Sequence, residues 1–376
     1  MIPVSEPALT EVDRRYLLDA FDTGWISSAG RYIDAFEGAW AQYCGMDHGI
    51  AVSSGTTALQ LAVQCLDLSP GDEVILPTFT IISCAQAVAY AGLVPVLVDS
   101  DPQTWCMDVA QVEAKITPRT RAIMAVHIYG HPVDLDPLQD ICRRHGLVLI
   151  EDAAEAHAAQ YLSRIGGQPQ WRPCGGIGDI SIFSFYANKL ITTGEGGMVL
   201  TRSASCASRL RSLRDLAFQA GRRFYHSELG YNFRMTNMQA ALGYAQVQRI
   251  QAIVDRKRWM GSLYNQRLQG VTGLQLPTEA PWARQVYWMY GLVIDEATGL
   301  SAETLAARLR EHGVDTRPFF LGMHEQPALL NKGFFAGERY PVAERLARQG
   351  LYLPSGLTLT ESQIDAVSNA VRESIQ

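Results

Sequence analysis

Apolar residues follow two alternating patterns between residues 49 and 201. Short, continuous runs rich in valine, isoleucine and leucine are separated by longer stretches in which small and apolar residues recur at helical spacing. Runs of this kind predict strands that are covered on both faces, and therefore a mostly parallel sheet between helices. The predicted strands are 49–52, 73–77, 95–99, 122–127, 147–151, 179–184 and 197–201, and helices are predicted over 58–66 and 83–90.

The pattern changes after residue 229. Here we predict a smaller α+β unit in which one long helix, 238–268, is interrupted at Gly243 and Gly261. The chain therefore divides into a large α/β domain over 1–235 and a smaller domain over 236–376 that includes the connecting helix. Within the smaller domain we predict a linker over 270–284, strands over 287–294 and 314–317, and helices over 302–311 and 361–375.

Composition narrows the class of protein without identifying it. The chain of 376 residues is 47% hydrophobic and 19% charged, which excludes a disordered chain, and its net charge of −6 argues against nucleic acid as a partner. Its start lacks a basic segment followed by an apolar one, and no apolar run is long enough to span a bilayer. Seven cysteines without a C-x-x-C pair indicate reduced thiols and no metal site. We expect a cytoplasmic protein without a nucleic-acid, membrane or metal partner.

The first predicted strand is followed by a turn, 53–57, that is rich in serine and threonine and opens a helix. Free N–H groups and the positive end of the helix dipole make such a turn suitable for a phosphate group. Gly55 would let the backbone approach closely, and the hydroxyl of Thr56 would add a donor. Serine and threonine are also ordinary N-cap residues, so the turn alone does not decide between the two interpretations.

Two charged residues follow later strands of the series. Asp152 comes directly after a predicted strand, where an unpaired carboxylate is costly and needs either a cation or a helix N-terminus. Lys189 lies between two predicted strands among small and apolar residues. A desolvated lysine has a lowered pKa and can form a Schiff base with an aldehyde. The alternative, a surface lysine on a hairpin, is opposed by the glycine cluster at 194–197.

A phosphate-binding turn, a buried acid and a lysine at successive strand ends are the groups that pyridoxal phosphate (PLP) chemistry requires. Further motifs lie at 25–28, 32–37, 78–85, 126–132, 151–156, 191–198, 230–237 and 316–320, followed by His324. With these segments the chain resembles the DegT/DnrJ/EryC1/StrS family of PLP-dependent sugar aminotransferases along nearly its whole length. The resemblance implies the type I aspartate aminotransferase fold, with a mostly parallel seven-stranded sheet between helices and a smaller C-terminal α+β domain.

The same resemblance implies roles in cofactor binding. Lys189 would form the Schiff base with PLP and then move protons between the cofactor and the sugar, and Asp152 would hold the pyridinium nitrogen. Ile81 would pack on the ring face, and Glu155, at a position where many relatives have glutamine, would lie near the ring hydroxyl. The phosphate would be bound by Gly55, Thr56 and Ser184, and the phosphate in the other subunit would be reached by Asn232.

Substrate contacts are implied in the same way, and several have ordinary structural alternatives. Arg317 and His324 would meet the sugar or the diphosphate, but they are equally compatible with a surface ion pair and a hydrogen-bonded loop histidine. Asn232 is also typical of a turn after glycine. A loop near the N-terminus would close over the sugar nucleotide, with contacts from Ser27, Ser28 and Arg31.

The reaction expected from the resemblance is transamination from L-glutamate to the C4 keto group of GDP-4-keto-6-deoxy-D-mannose, in a homodimer with shared active sites. The alternatives are a UDP- or dTDP-linked keto sugar or a keto-cyclitol as acceptor, a pyridoxamine-dependent dehydratase, and a regulator without catalysis. Lys189 argues against the dehydratase, because those relatives carry histidine there. The combination of Asp152 and Lys189 argues against the regulator.

Departures from the family pattern concern loop geometry and substrate choice. Ala187 stands where relatives have glycine, and it would be strained if that position had a positive φ. Residues 321–323 replace a Tyr-Pro pair that precedes the histidine in relatives. A glycine- and proline-rich stretch, 163–177, is longer than usual and is predicted to be a surface loop.

Overall fold

The computed structural model describes residues 1–219 and 221–375. Its helices are α1 (Glu11–Asp22), α2 (Arg31–Cys44), α3 (Gly55–Cys65), α4 (Ser83–Tyr90), α5 (Leu135–His145), α6 (Ala204–Arg214), α7 (Asn237–Val247), α8 (Ile250–Leu268), α9 (Ala302–Glu311), α10 (Pro327–Leu330), α11 (Pro341–Gln349) and α12 (Glu361–Ile375). None of the helices in the described part of the chain is long and apolar enough to span a membrane. The strands are β1 (His48–Val52), β2 (Glu73–Pro77), β3 (Val94–Val98), β4 (Thr120–Val126), β5 (Val148–Asp152), β6 (Gln160–Ser163), β7 (Gln170–Pro173), β8 (Ile180–Ser184), β9 (Gly197–Thr201), β10 (Phe218–Gln219), β11 (Arg222–His226), β12 (Leu274–Gln275), β13 (Ala283–Arg284), β14 (Tyr290–Ile294), β15 (Arg317–Pro318) and β16 (Gly350–Leu353).

The largest sheet has seven strands in the order β1-β9-β8-β5-β4-β2-β3. Strand β9 is antiparallel to both of its neighbours, and the other neighbouring pairs are parallel. The chain turns back through residues 185–196 to pair β9 with β8, and a connection without a crossover element gives the antiparallel arrangement. The mostly parallel sheet and the α/β fold class predicted from the apolar runs are confirmed.

The central strands are buried on both faces. All five residues of β2 and of β9 are buried, as continuous apolar runs predict. Helix α2 supplies Phe36 and Trp40, which are fully buried. Both rings pack against Phe185, directly after β8, and the ring of Trp40 also meets Phe183. This packing anchors the start of the loop that carries Lys189.

A second sheet has four antiparallel strands in the order β12-β14-β16-β15 and lies in the C-terminal part of the chain. Its apolar cluster includes Tyr264 of α8, Tyr290 of β14 and Leu309 of α9. The N-terminal segment joins this part through a β-bridge between Ile2 and Val314. Helix α7, in contrast, packs on α1 and α2. The domain boundary predicted after residue 235 stays a prediction.

The single long helix predicted over 238–268 is wrong, because the segment forms two helices, α7 and α8. Gly243 and Gly261 both lie inside these helices and do not interrupt them. A Cβ at Gly243 would lie 2.5 Å from the ring of Phe36, and one at Gly261 would lie 2.5 Å from the ring of Tyr287. These glycines therefore permit aromatic rings to pack directly on a helix backbone.

Four other segments differ from their predictions in extent or class. The predicted loop 163–177 contains β7, which pairs with β6 as a hairpin, and only residues 164–170 are consistently exposed. The predicted linker 270–284 contains the short strands β12 and β13, and β13 adds to the edge of the hairpin. The strands predicted over 287–294 and 314–317 are replaced by the shorter β14 and β15.

Candidate active site

A cavity of about 330 Å³ lies where the carboxyl ends of β5 and β8 meet the start of α3. Ligands commonly bind at this edge of a parallel sheet, because loops and helix N-termini converge there. The residues that the sequence predicts to bind the cofactor of their own subunit all line this cavity, namely Gly55, Thr56, Ile81, Asp152, Glu155, Ser184 and Lys189.

The N-terminus of α3 forms one wall of the cavity. Ser54 caps the helix by accepting a backbone hydrogen bond, while the first N–H groups of a helix have no partner within it and can bind an anion. A Cβ at Gly55 would lie 2.7 Å from the Cβ of Ser184, so glycine is needed for that serine to approach the helix. The hydroxyls of Thr56 and Ser83 lie 2.9 Å apart on the same wall. The N-cap interpretation is confirmed for Ser54, and phosphate binding by this turn stays a prediction.

Asp152 is a buried acid with few partners. Its Oδ1 accepts a hydrogen bond from the N–H of Ala154 at 3.0 Å, and its Oδ2 accepts one from the thiol of Cys84 at 3.2 Å. Burial raises the pKa of Asp152, and these donors offset the loss of water only in part. A cationic ligand group would stabilise this carboxylate. Cys84 of α4 is a partner that sequence reasoning missed, because no spacing links it to the acid.

Lys189 and Glu155 face each other with 3.9 Å between Nζ and Oε1. The side chain of Lys189 is only 10% exposed, so it is not a surface lysine. Burial lowers the pKa of Lys189 and raises the pKa of Glu155 to about 7. The other carboxylate oxygen of Glu155 accepts a hydrogen bond from the N–H of Tyr129 at 2.7 Å. A buried amine beside a carboxyl that titrates near neutral pH is suited to proton transfer.

Trp288 is a buried residue that forms a wall of the cavity. The Nζ of Lys189 lies 3.5 Å from the centre of the indole ring, within cation–π distance. The indole N–H donates to the carbonyl of Asn188 at 2.8 Å. The carbonyl of Trp288 accepts a hydrogen bond from Nζ of Lys257 at 2.8 Å. The C-terminal part of the chain therefore holds the lysine loop, through contacts that local sequence patterns do not indicate.

The chemistry of these wall residues fits PLP. The polar cradle at α3 matches a phosphate, the sparsely paired Asp152 matches a protonated ring nitrogen, and Lys189 matches an aldehyde. Ile81 lines the cavity and is 41% exposed, so it is placed to cover a flat ring. Ala187 does not have a positive φ, and the departure from glycine there introduces no backbone strain.

Four of the other predicted site residues lie outside the walls of this cavity, near the N-terminus or before α7. Asn232 forms a β-bridge with Asp215. The carbonyl of Ser27 accepts a backbone hydrogen bond at the start of α7, and Ser28 is exposed. Arg31 forms an ion pair with Asp19 of α1, with 2.6 Å between Nη2 and Oδ2. The roles of these residues toward a substrate or a second subunit stay predictions.

Arg317 and His324 also lie outside the cavity walls. Arg317 is exposed and forms an ion pair with Asp315 at 2.7 Å. His324 is buried, with Nδ1 2.8 Å from the hydroxyl of Thr78 and Nε2 3.3 Å from a carboxylate oxygen of Glu344. The observed contacts are those of the structural alternatives, a surface ion pair and a hydrogen-bonded loop histidine. The substrate roles of both residues stay predictions.

This chain is similar to known proteins over nearly its whole length. Residues 7–372 match the profile of the DegT/DnrJ/EryC1/StrS aminotransferase family. The GDP-perosamine synthase of Caulobacter vibrioides is 42% identical over 98% of this chain and 97% of its own length. The GDP-perosamine synthase of Vibrio cholerae is 37% identical over 99% of this chain and 98% of its own length.

Two solved structures share both the fold and part of the sequence. The aminotransferase TlmJ from Streptoalloteichus hindustanus has a TM-score of 0.90 and 31% identity, covering 100% of this chain and 98% of that chain. The structure of S. venezuelae DesV, described as a complex with a ketimine intermediate, has a TM-score of 0.87 and 35% identity. It covers 97% of this chain and 94% of that chain.

Proposed function

This chain belongs to the DegT/DnrJ/EryC1/StrS aminotransferase family, and on that premise we propose that it makes GDP-perosamine. It would transfer an amino group from L-glutamate to the C4 keto group of GDP-4-keto-6-deoxy-D-mannose. The observation that carries the proposal is the single cavity in which Lys189, Glu155 and Asp152 meet the start of α3. The GDP-perosamine synthases that match nearly the full chain support this choice of sugar nucleotide.

The cavity walls bind and orient the cofactor. When bound, PLP supplies an aldehyde that takes up an amino group and a ring that accepts electrons. Asp152 holds a proton at the ring nitrogen, because its carboxylate is otherwise short of positive partners. The start of α3 and the hydroxyl of Ser184 bind the phosphate, and Ile81 covers the ring face.

Lys189 moves the proton that amino transfer requires. Its Nζ accepts a proton only when it is uncharged, and burial favours that form by lowering its pKa. The ring of Trp288 and the carboxylate of Glu155 favour the charged form, so the protonated amine has partners at 3.5 and 3.9 Å. Both forms are therefore accessible, and the same Nζ serves first as a base and then as an acid.

One feature of the cavity favours a different keto sugar, or a keto-cyclitol, as the amino acceptor. Phe320 lines the cavity, and residues 321–323 directly after it depart from the family pattern. A UDP- or dTDP-linked keto sugar, or a keto-cyclitol, would use the same cofactor and the same proton transfer. A different acceptor would therefore change the substrate and leave the proposed transamination unchanged.

A single-turnover spectrum tests the proposal. The enzyme is converted to its pyridoxamine form with L-glutamate, freed of excess reagents, and mixed with keto-sugar nucleotides one at a time. We expect the absorption of the lysine-bound cofactor to return with GDP-4-keto-6-deoxy-D-mannose alone. Return only with a UDP- or dTDP-linked sugar would reassign the acceptor. Purified protein that neither contains nor binds PLP would overturn the cofactor assignment.

We further propose a cytoplasmic homodimer that supplies perosamine for O-antigen or for a glycosylated natural product. Large apolar side chains are exposed near the N-terminus and before α7, among them Phe21 at 62%, Trp25 at 59% and Leu229 at 92%. Exposed apolar groups of this size are typical of a surface that a second subunit covers. Asn232 follows closely after Leu229, so it lies next to a surface on which a second subunit would pack.

Mixing two inactive variants tests whether sites are shared. In a dimer of one Lys189→Ala subunit and one Asn232→Ala subunit, one site combines both defects and the other contains neither. Each mixed dimer should therefore have half of its sites intact, and a random mixture, in which about half of the dimers are mixed, should recover about a quarter of the native activity. If Asn232 acts within its own subunit, or if sedimentation shows a monomer, no recovery will occur and shared sites are disproved.

A further inference from the structure

Two cysteine thiols are in contact away from the cavity. Cys65 ends α3 and Cys206 lies in the first turn of α6, and their sulfurs are 2.6 Å apart. This separation approaches the length of a disulfide bond, about 2.05 Å. Cys65 is buried and Cys206 is half-buried, so a small molecule in solution can reach the pair from the side of Cys206. The helices therefore already hold the two sulfurs where a bond between them needs only a small movement.

The surroundings make the two thiols unequal. Cys206 is near the positive end of the α6 dipole, and its N–H is bonded to the capping Ser203. The hydrogen bond from Cys65 and the charge of Arg209 lower the pKa of Cys206. The pKa of Cys65 is raised by its hydrogen bond with Cys206 and by burial. Cys206 is thus placed as the nucleophile and Cys65 as the thiol that resolves its oxidised form.

We propose that Cys65 and Cys206 form a modification site for hydrogen peroxide, which converts the pair into a reversible disulfide. The sulfur of Cys206 attacks the peroxide, an S–O bond forms, the O–O bond breaks, and water leaves. The sulfur of Cys65 then attacks that of Cys206, loses its proton and displaces a second water molecule. Two thiols are oxidised to one disulfide and one peroxide is reduced to two molecules of water, and excess thiol reverses the change by exchange.

The site is selective because its nucleophile, Cys206, is partly exposed and has a lowered pKa, whereas the cysteines outside the pair do not share this environment. All five are buried, and burial raises the pKa of each of their thiols, which are Cys44, Cys84, Cys106, Cys142 and Cys174. Such thiols react slowly with peroxide, since the thiolate is the nucleophile. The disulfide would tie the end of α3 to α6, whereas the start of α3 forms the phosphate wall of the cavity. We therefore expect a more stable α3 with the cavity unchanged.

Thiol counting on the holoenzyme tests the proposal. After a small molar excess of hydrogen peroxide, we expect free thiols under denaturing conditions to fall from seven to five, and dithiothreitol to restore them. Peptide mass spectrometry should find a Cys65–Cys206 disulfide. The Cys206→Ser variant should lose no thiols, and Cys65→Ser should stop at an oxidised Cys206 without a disulfide. The matched variant Cys142→Ser, which removes a buried cysteine, should still form the bond.

Other outcomes would overturn the proposal. These are sulfinic acid without a disulfide in the native chain, a disulfide between other cysteines, or no thiol loss at peroxide concentrations that oxidise free cysteine. Thermal unfolding gives a second readout, in which the oxidised enzyme should unfold at a higher temperature than the reduced enzyme. That shift should be absent in Cys65→Ser, and its absence in a chain with a verified disulfide would disprove the effect on α3.

Discussion

Two adjacent acids at the end of β5 differ in how many partners surround them. Glu151 and Asp152 are both buried, and neighbouring residues of a strand point to opposite faces of the sheet. Glu151 is opposite His127, with 3.0 Å between Oε2 and Nε2. It also accepts hydrogen bonds from the N–H groups of Gly175 at 2.8 Å and Ile177 at 2.7 Å. This side of the strand end is a closed, fully paired structural site.

On the cavity side, Asp152 has only one amide N–H and one thiol as donors. Burial raises its pKa. Burial would also raise the pKa of Glu151, but the hydrogen bonds and charge from His127 and the backbone N–H groups lower it below its usual value. A buried acid is therefore structural where donors saturate it, and it is available to a ligand where they do not.

The largest effect on the cavity side is expected from Lys189→Ala. Turnover should fall by about 10⁴-fold, the upper end for loss of a general acid–base group. Stability should not fall, because the change removes a buried amine whose pKa is lowered by burial. Steady-state rates and thermal unfolding check the two parts. Full activity in this variant would remove Lys189 from the mechanism.

Glu151→Gln should act on stability instead. We expect a loss of about 1.5–3 kcal/mol, because the amide NH2 of glutamine would face N–H donors that now bond to a charged carboxylate oxygen. The lowered pKa means that the carboxylate stabilises the fold above the pKa of the unfolded chain, and that this contribution disappears as pH falls through the folded value. Urea unfolding at pH 7 and under acidic conditions should show the difference between native and variant shrinking at low pH. Equal stability of the native chain and the Glu151→Gln variant at pH 7 would contradict a structural role for Glu151.

Asp152→Asn should have the opposite effect on the protein without cofactor. A raised pKa means that the ionised acid destabilises the fold above its folded pKa, and that this cost vanishes below the unfolded value of 3.8. The cofactor-free variant should therefore be more stable than the native chain at neutral pH. PLP affinity should fall about 10- to 100-fold, since a hydrogen bond to a charged group contributes about 1.5–3 kcal/mol. Unchanged PLP affinity in a fluorescence titration would exclude Asp152 as the partner of the ring nitrogen.

The smallest effect is expected from Cys84→Ala, which removes the thiol donor to Asp152. Loss of one neutral hydrogen bond, about 1 kcal/mol, should weaken PLP binding about fivefold. Cys84→Ser should restore most of the affinity because it keeps a donor. Cys142→Ala, the matched change at a buried cysteine outside the cavity walls, should leave PLP affinity unchanged. An equal effect at both cysteines would indicate lost packing and not a positioning role.

Local patterns predicted the large sheet well and the helices after it less well. Strand β2 has the predicted bounds 73–77, because an apolar run covered on both faces is visible without knowledge of its neighbours. The connection through α7 and α8 was misjudged, because a glycine in a helical pattern is read as a break. Glycine is needed at positions 243 and 261 because the rings of Phe36 and Tyr287 pack on the helix backbone there. These contacts form only in the folded molecule.

Local patterns likewise predicted some residues of the candidate site and missed others. Strand-end position and residue type were enough to single out Asp152 and Lys189. Trp288 is not among the predicted site residues, because its cation–π contact with Lys189 joins two distant parts of the chain. Ser83 and Cys84 lie within the motif 78–85, so the sequence marked their segment but not their contacts with Thr56 and Asp152.

The sequence by itself determined where the strands of the seven-stranded sheet form and which acids, hydroxyls and amines stand at or near their ends, since periodicity and strand ends are local properties. Only the tertiary structure decided which of those groups lack partners. Glu151 and Asp152 are neighbours with the same burial, yet folding brings His127 and the backbone of residues 175–178 to the first and an open cavity to the second. The pairing of a buried charge depends on distant parts of the chain, because water is absent and every partner must come from the fold.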